Sequence, residues 1–343
     1  MEIRQAIARV VERGDLSDAE MQAVMGCIMR GEASPAQIGG FLIALRMKGE
    51  TVEEIAAAAS VMRELASRVE LDDPQLVDIV GTGGDGSNTF NISTVAALVV
   101  AAAGGRVAKH GNRSASSPCG SADLLEAAGV NIELTPAQVK ACVERAGIGF
   151  MFAARHHGAM RHASGPRKEL GIRTIFNVLG PLTNPAGVKK HLIGVYSTDL
   201  VKTLAEVLRR LGSEHALVVH AEDGLDEISI AAPTRVAELK SGRIETYRIL
   251  PEEFGLQASS MDSLRVESVG QSLELVRGVL DNRPGPARDI VLLNAGAAIY
   301  VAGLCSDLKG GVQKADAVLT SGAARDKLEE LARVSHAVAT LSI

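Results

Sequence analysis

Tryptophan is absent from this chain of 343 residues, which by itself decides nothing about function. Cysteine is scarce: Cys27, Cys119, Cys142 and Cys305 are scattered, with no Cys-x-x-Cys pair. That argues against a short-spaced zinc or redox pair and fits reduced thiols filling small core or loop positions in a cytoplasmic protein. No apolar run is long enough to span a bilayer, and no basic stretch leads into an apolar core at the start. The expectation is a cytosolic protein with no membrane partner. An excess of positive charge is missing too, with Lys and Arg at 36 against Asp and Glu at 41 and a formal net charge of −5. A general nucleic-acid surface is therefore not expected, and any polyanionic ligand must be held by locally concentrated donors.

What is present is an ordinary soluble composition, 46% hydrophobic and 22% charged. The length suggests about two domains and a core that needs no disulfide or metal staple. The first seventy residues read as a small helical bundle. Ser17-x-x-Glu20, Ser34-Pro35-x-Gln37 and Thr51-x-x-Glu54 are capping boxes, Gly31 and Gly49 sit where helices would stop, and Ile38, Phe41, Leu42 and Leu45 recur at helical spacing. From Asp73-Pro74 onward, short apolar runs at 77–80, 106–109, 148–152, 191–196 and 217–220 alternate with helical patterns. Alternation of this kind predicts a mainly parallel sheet covered by helices. Residues 234–240 and 245–249, joined through Ser241-Gly242, read as an antiparallel hairpin at the sheet edge.

Two turns carry the chemistry. After the run 77–80, Gly81, Gly83, Gly84 and Gly86 let the backbone approach an anion and point N–H groups at it. Asn91, Ser93 and Thr94 then precede an apolar helix-like run, Val95 to Ala103, whose N-terminus would add its partial positive charge. The second turn, Lys109-His110-Gly111-Asn112-Arg113-Ser114-Ala115-Ser116-Ser117, brings two cations and a row of hydroxyls. Both turns would lie at one edge of the sheet and hold phosphate.

The segments GTGGD, NIST and KHGNRSASS, the stretch Gly165 to Asn177, the loop GPLTNP at 180–185 and the acidic pair Asp226-Glu227 occur in an order that resembles the anthranilate phosphoribosyltransferase family. A lone glycine loop would be weak evidence, whereas several separate motifs spanning nearly the whole chain are specific. The resemblance implies a small helical N-terminal domain, residues 1–72 completed by about 165–185. It also implies a larger α/β domain, residues 73–164 and 186–343, with a mainly parallel central sheet of the nucleoside phosphorylase/phosphoribosyltransferase type. Substrates would sit in the cleft between the domains, and homodimers would form through the helical domain, although a monomer is compatible with the residues alone.

In that family the amine of anthranilate attacks C1 of 5-phosphoribosyl 1-pyrophosphate (PRPP) and pyrophosphate departs, a step of L-tryptophan biosynthesis. Little covalent work falls to the protein, and no general base is assigned; positioning and charge neutralisation should dominate. The resemblance assigns the phosphoribosyl donor to Gly81, Gly84, Asp85, Thr89, Asn91, Ile92, Ser93, Thr94, Lys109, His110, Gly111, Asn112, Arg113, Ser114, Ala115, Ser116, Ser117 and Ser121. Anthranilate falls to Arg167, Asn112 and Gly81, and Mg²⁺, two per subunit, to Ser93, Asp226 and Glu227.

Electrostatics bears on the metal assignment independently. Unit charges about 4 Å apart at an effective dielectric near 20 interact by about 4 kcal/mol, so bare carboxylates facing a pyrophosphate would oppose binding, and a divalent cation reverses that sign. Oxygen ligands without a His or Cys cluster suit Mg²⁺ better than zinc. The alternative is a solvated acidic loop of Asp223, Asp226 and Glu227. His110 and His156 are candidate cleft residues; the family usually has proline where Gly158 stands, which loosens that turn, and Pro166 restricts the backbone before Arg167. A pyrimidine nucleoside phosphorylase would share the architecture but bind inorganic phosphate without magnesium; the acidic pair and the Lys-His-Gly-Asn-Arg turn favour the transferase. A nucleic-acid-binding relative would want a basic surface that this chain does not supply.

Overall fold

The computed structural model describes residues 1–114 and 117–340. Four helices open it: α1 (Ile3–Val11), α2 (Asp18–Met29), α3 (Pro35–Lys48) and α4 (Val52–Glu64). Their starts follow the local chemistry of the sequence. Ser34 Oγ accepts from the Gln37 amide at 3.3 Å while the Gln37 side chain accepts from the Ser34 amide at 2.9 Å, and Thr51 and Glu54 exchange the same pair of bonds. Such reciprocal bonds satisfy N–H groups that have no partner within the helix. Gly49, at φ 89°, closes α3 in a conformation that favours glycine.

Among the described residues seven strands form one sheet: β1 (Leu76–Gly81), β2 (Arg106–Gly111), β3 (Ile148–Phe152), β4 (Lys190–Gly194), β5 (His215–Ala221), β6 (Thr234–Lys240) and β7 (Arg243–Ile249). They lie in the order β3-β2-β1-β4-β5-β6-β7. The first five run parallel, and β6 and β7 add the antiparallel hairpin that Ser241-Gly242 announces. From β1 the chain winds outward to β2 and β3, then returns to start β4 on the other side of β1. The point where winding reverses is the place where open α/β sheets leave a crevice beyond their carboxyl ends. Here it falls between Gly81 and Gly194, register partners at the ends of β1 and β4.

Helix α5 (Ile92–Ala102) follows β1 and is buried along nearly its whole length, packed against the sheet and the equally buried helix Pro286–Ala302. It starts three residues earlier than the apolar run suggested, so Ser93 and Thr94 lie in its first turn rather than before it. Small hydroxyl residues are tolerated there because first-turn N–H groups lack intrahelical partners.

Two apolar cores result. One fills the sheet face covered by α5 and the C-terminal helices. The other joins the bundle interior to the opposite face, where Ile193, Val195, Val218 and Leu239 meet the helix Asp199–Arg210, which in turn packs on α4. After β3 the chain leaves the sheet, and the helix Arg161–Leu170 packs on α2 and α3 before the chain returns to β4. Among the described residues no helix is long and apolar enough to cross a membrane.

Candidate active site

A cleft of about 690 Å³ opens above the carboxyl ends of β1 and β2 and beside Ala153 and Ala154, which follow β3. Its floor is the glycine turn after β1, in which Gly83, Gly84 and Gly86 all adopt positive φ. The turn is tied to the acidic loop: Gly83 N–H donates to Asp226 Oδ2 at 2.7 Å, and Thr82 N–H donates to the Gly194 carbonyl at 2.9 Å. Asn91, the residue before α5, is pinned on the far side. Its Nδ2 donates to the Cys119 carbonyl at 3.1 Å, and its Oδ1 accepts from Ser272 Oγ at 2.8 Å. This side chain ties the glycine turn to the end of the second turn.

Lys109 is 2% exposed, its Nζ donating to the Ile79 carbonyl at 2.6 Å and lying 3.4 Å from Ser93 Oγ. Burial lowers its pKa, and the charges of Asp78 and Glu227 oppose the fall. Beneath it, Asp78 is fully buried, accepting from the His110 amide at 3.1 Å and from Asn184 Nδ2 at 2.7 Å. Burial pushes this carboxyl up to about 6 against the pull of Lys109. His110 is kept neutral, burial driving it well below its ordinary value, and its Nε2 has no hydrogen-bond partner among the described residues.

Asp226 and Glu227, each 9% exposed, stand at the rim of the switch point. Both carboxyls are pushed up, Asp226 by burial and then by Asp85, Glu227 by burial and then by Asp226. The Ser93 backbone partly offsets the rise at Glu227, so the hydroxyl residue and the acidic pair are neighbours. A Cβ on Gly81 would lie 2.5 Å from Asp226 Oδ2, which makes glycine at 81 the condition for this carboxylate's position. Crowded, poorly solvated carboxylates beside a hydroxyl form an oxygen donor set that fits a hard divalent cation such as Mg²⁺. No group of three or more His, Cys, Asp or Glu suited to a metal occurs among the described residues. Any cation here would draw on the two carboxylates, Ser93, water and substrate.

Of the residues expected to hold the donor, Gly81, Gly84, Asp85, Thr89, Asn91, Ile92, Ser93, Lys109, His110, Gly111, Asn112, Arg113, Ser114, Ser117 and Ser121 line the cleft, as do Arg167, Asp226 and Glu227. Thr94 does not: it is 2% exposed and turned into the core. Ala115 and Ser116 lie outside the described residues. Arg113 is not a loose cation, since its guanidinium pairs with Asp123 at 2.9 Å and Glu126 at 2.8 Å. Arg167 rises from the helix Arg161–Leu170 with its guanidinium 5.0 Å from the Phe176 ring centre, and burial lowers its pKa.

The histidine expectation shifts by one residue. His156 is buried away from the cleft, its Nδ1 2.9 Å from the Ser67 carbonyl. His157 lines the cleft instead, its ring 5.0 Å from that of His110, and burial holds its pKa at about 4. Successive residues on the one-turn helix Ala153–His156 and its cap point in different directions, which sequence alone does not resolve. Sequence reasoning also passed over Met62, Phe176, Asn177 and Thr183 in the wall. Three of these lie within or between quoted motifs; Met62 of α4 carries no local signal.

A glycine-floored cleft at the switch point of a sheet flanked by a helical bundle defines a class, a two-part glycosyl transferase. The family model for the glycosyl transferase family α/β domain matches residues 73–325, and that for its helical bundle domain matches 4–66. The chain is 62% identical to the anthranilate phosphoribosyltransferase of Thioalkalivibrio sulfidiphilus, over 96% of this chain and 98% of that protein. The crystal structure of anthranilate phosphoribosyltransferase from Thermus thermophilus superposes with a TM-score of 0.92 at 45% identity, covering 96% of this chain and 99% of that one. The enzyme from Saccharomyces cerevisiae in complex with PRPP and Mg superposes at 0.89 with 28% identity, each chain covered to 98%. Within the glycosyl transferases, then, this chain belongs to the anthranilate phosphoribosyltransferase family.

Proposed function

We propose that this chain transfers the phosphoribosyl group of PRPP to the amine of anthranilate, giving N-(5-phosphoribosyl)anthranilate and pyrophosphate, in L-tryptophan biosynthesis. The observation that carries the reading is the convergence of Lys109, the glycine turn and the Asp226-Glu227 pair on one cleft at the sheet's switch point. Domain organisation follows the same reading: residues 1–72 with 165–185 as the helical part, 73–164 and 186–343 as the α/β part.

The motif residues divide the work. Turn amides and the N-terminus of α5 receive the phosphates of the donor, Lys109 supplies a buried positive charge, and Ser114, Ser117 and Ser121 cap the second turn. Asn91 holds the two turns at a fixed separation. Arg167 takes the anthranilate carboxylate in a bidentate fork, with Asn112 and Gly81 near the amine. Neutral His110 and His157 give that acceptor a wall that does not protonate the attacking amine near pH 7. Ser93, Asp226 and Glu227 would hold Mg²⁺, two per subunit, which when bound neutralises the departing diphosphate.

Bond making and bond breaking at C1 need orientation more than acid–base help, which agrees with a cleft whose ionisable groups are fixed by burial. Free thiols at all four cysteines support a cytoplasmic setting. Val11 and Met47, 65% and 70% exposed on α1 and α3, support a homodimer through the helical part. The test is loss of anthranilate fluorescence on mixing with PRPP, with and without Mg²⁺. Magnesium-dependent loss is expected, and no loss with magnesium present would overturn the reading.

A further inference from the structure

Arg173 stands outside the cleft yet touches its floor. It lies in the segment that packs on the helical bundle, and its guanidinium donates to the carbonyl of Gly84 in the glycine turn. A Cβ placed on Gly84 would be 3.7 Å from Arg173 Nε, so the guanidinium lies directly against the turn. The cation is seated 4.1 Å above the ring of Tyr196. Tyr196 in turn donates its amide to Thr82 Oγ1 at 3.1 Å, which ties the platform to the start of the same turn. On the bundle side, Arg46 of α3 donates to the Arg173 carbonyl. One residue thus links α3, the excursion from the sheet and the donor-binding turn.

The stereochemistry of the turn gives this link a consequence. Gly83 and Gly84 adopt φ of 67° and 73°, and Gly86 78°, so ordering this stretch costs more backbone entropy than ordering ordinary residues. No peptide among the described residues is cis. In a trans peptide the carbonyl and the following N–H point in opposite directions. A guanidinium that holds the Gly84 carbonyl on the outer side therefore turns the Asp85 N–H towards the cleft.

We propose that Arg173 is a positioning residue for the phosphoribosyl donor, a strap from the helical part that fixes the Gly84–Asp85 peptide with its N–H facing the diphosphate. The proposal rests on the donor assigned above. A planar fork is required, because the group must lie flat on Tyr196 and reach the carbonyl edge-on at the same time; a lysine ammonium cannot do both.

The test compares Arg173→Ala, Arg173→Lys and Tyr196→Leu by steady-state kinetics with each substrate varied, and by hydrogen exchange of the peptide spanning residues 82–90. Arg173 is exposed, so folding is not at stake. Arg173→Ala is expected to raise the donor KM about tenfold and the anthranilate KM less than about twofold. It should speed exchange in 82–90 without changing the melting temperature. Arg173→Lys should behave like the alanine variant, and adding Tyr196→Leu to Arg173→Ala should change the donor KM little further. A lysine variant with the native donor KM would mean that charge alone suffices, and would overturn the proposal. An unchanged donor KM, or unchanged exchange in the turn, would overturn it equally. Exchange reports on the strap without substrate, so a native chain that transfers nothing, with exchange still accelerated in Arg173→Ala, would sink the assigned reaction and leave the strap standing.

Discussion

Gly194 offers the sharpest test of how the sheet builds the site. It ends β4 beside Gly81 of β1, and the loop carrying Asp226 crosses directly over both. A Cβ on Gly194 would fall on the Asp226 carbonyl carbon and oxygen, with Asp226 Cα only 3.3 Å away, where ordinary contact begins at 3.4 Å. The obstacle is backbone, so no rotamer relieves it, and the loop must retreat by more than about 1 Å from a close-packed position. Asp226 takes the glycine turn with it, because its Oδ2 holds the Gly83 amide at 2.7 Å. A displacement of about 1 Å at a reacting centre lowers rates on the order of 100-fold, roughly 2.7 kcal/mol of transition-state stabilisation. Overpacking itself costs about 1–3 kcal/mol, which leaves a domain of ordinary stability folded. Gly194→Ala should therefore melt only slightly below the native protein while kcat/KM in the fluorescence assay falls about 100-fold and the magnesium concentration for half-maximal rate rises. Gly81→Ala meets the end of a side chain instead, Asp226 Oδ2 at 2.5 Å, and should spare stability more. Native activity and native magnesium dependence in Gly194→Ala would refute the claim that this strand end positions the acidic pair.

Other outcomes follow from the same geometry. Lys109→Ala should raise the KM for PRPP and Arg167→Ala the KM for anthranilate, each leaving the other constant near its native value; a rise in the wrong constant would reverse the assignments. Lys48→Met leaves Glu54, whose side chain is 0% exposed, without the ammonium 2.9 Å away, and should cost about 3 kcal/mol. Adding Glu54→Gln should recover part of that loss in chemical denaturation, since no buried charge remains. Glu238 supplies the pH test. Burial pushes its carboxyl up, but bonds from His215 at 3.0 Å, Tyr300 at 2.6 Å and Tyr247 at 2.9 Å outweigh that and hold it at about 2. A folded value below the unfolded one stabilises above about pH 4.5 and is lost as the pH falls towards 2. Between about pH 5 and 3 the stability of Glu238→Gln should decline less steeply than that of the native chain, and parallel slopes would contradict this.

Local chemistry made much of the molecule legible in advance. Ser17, Ser34 and Thr51 announce helix starts because a short hydroxyl followed three residues later by Glu or Gln completes the end of a helix with groups only a few bonds away. The five parallel strands are readable because a strand buried on both faces must be a short apolar run. The glycine turn and the Lys-His-Gly-Asn-Arg turn are readable because the glycines, amides and cations that mark them are neighbours in sequence.

Everything that depended on distant segments meeting was decided by the tertiary structure. That β4 returns beside β1, placing Gly194 under Asp226, is a property of chain winding. Which of His156 and His157 enters the cleft depended on a single turn of helix, and Arg113 found Asp123 and Glu126 rather than open solvent. The bond from the His110 amide to buried Asp78 and the reach of Arg173 from the helical part to Gly84 are contacts across 32 and 89 residues of chain. Periodicity and caps report interactions within a few residues, whereas these pairings are selected by the free energy of the whole packed chain, to which no local pattern has access.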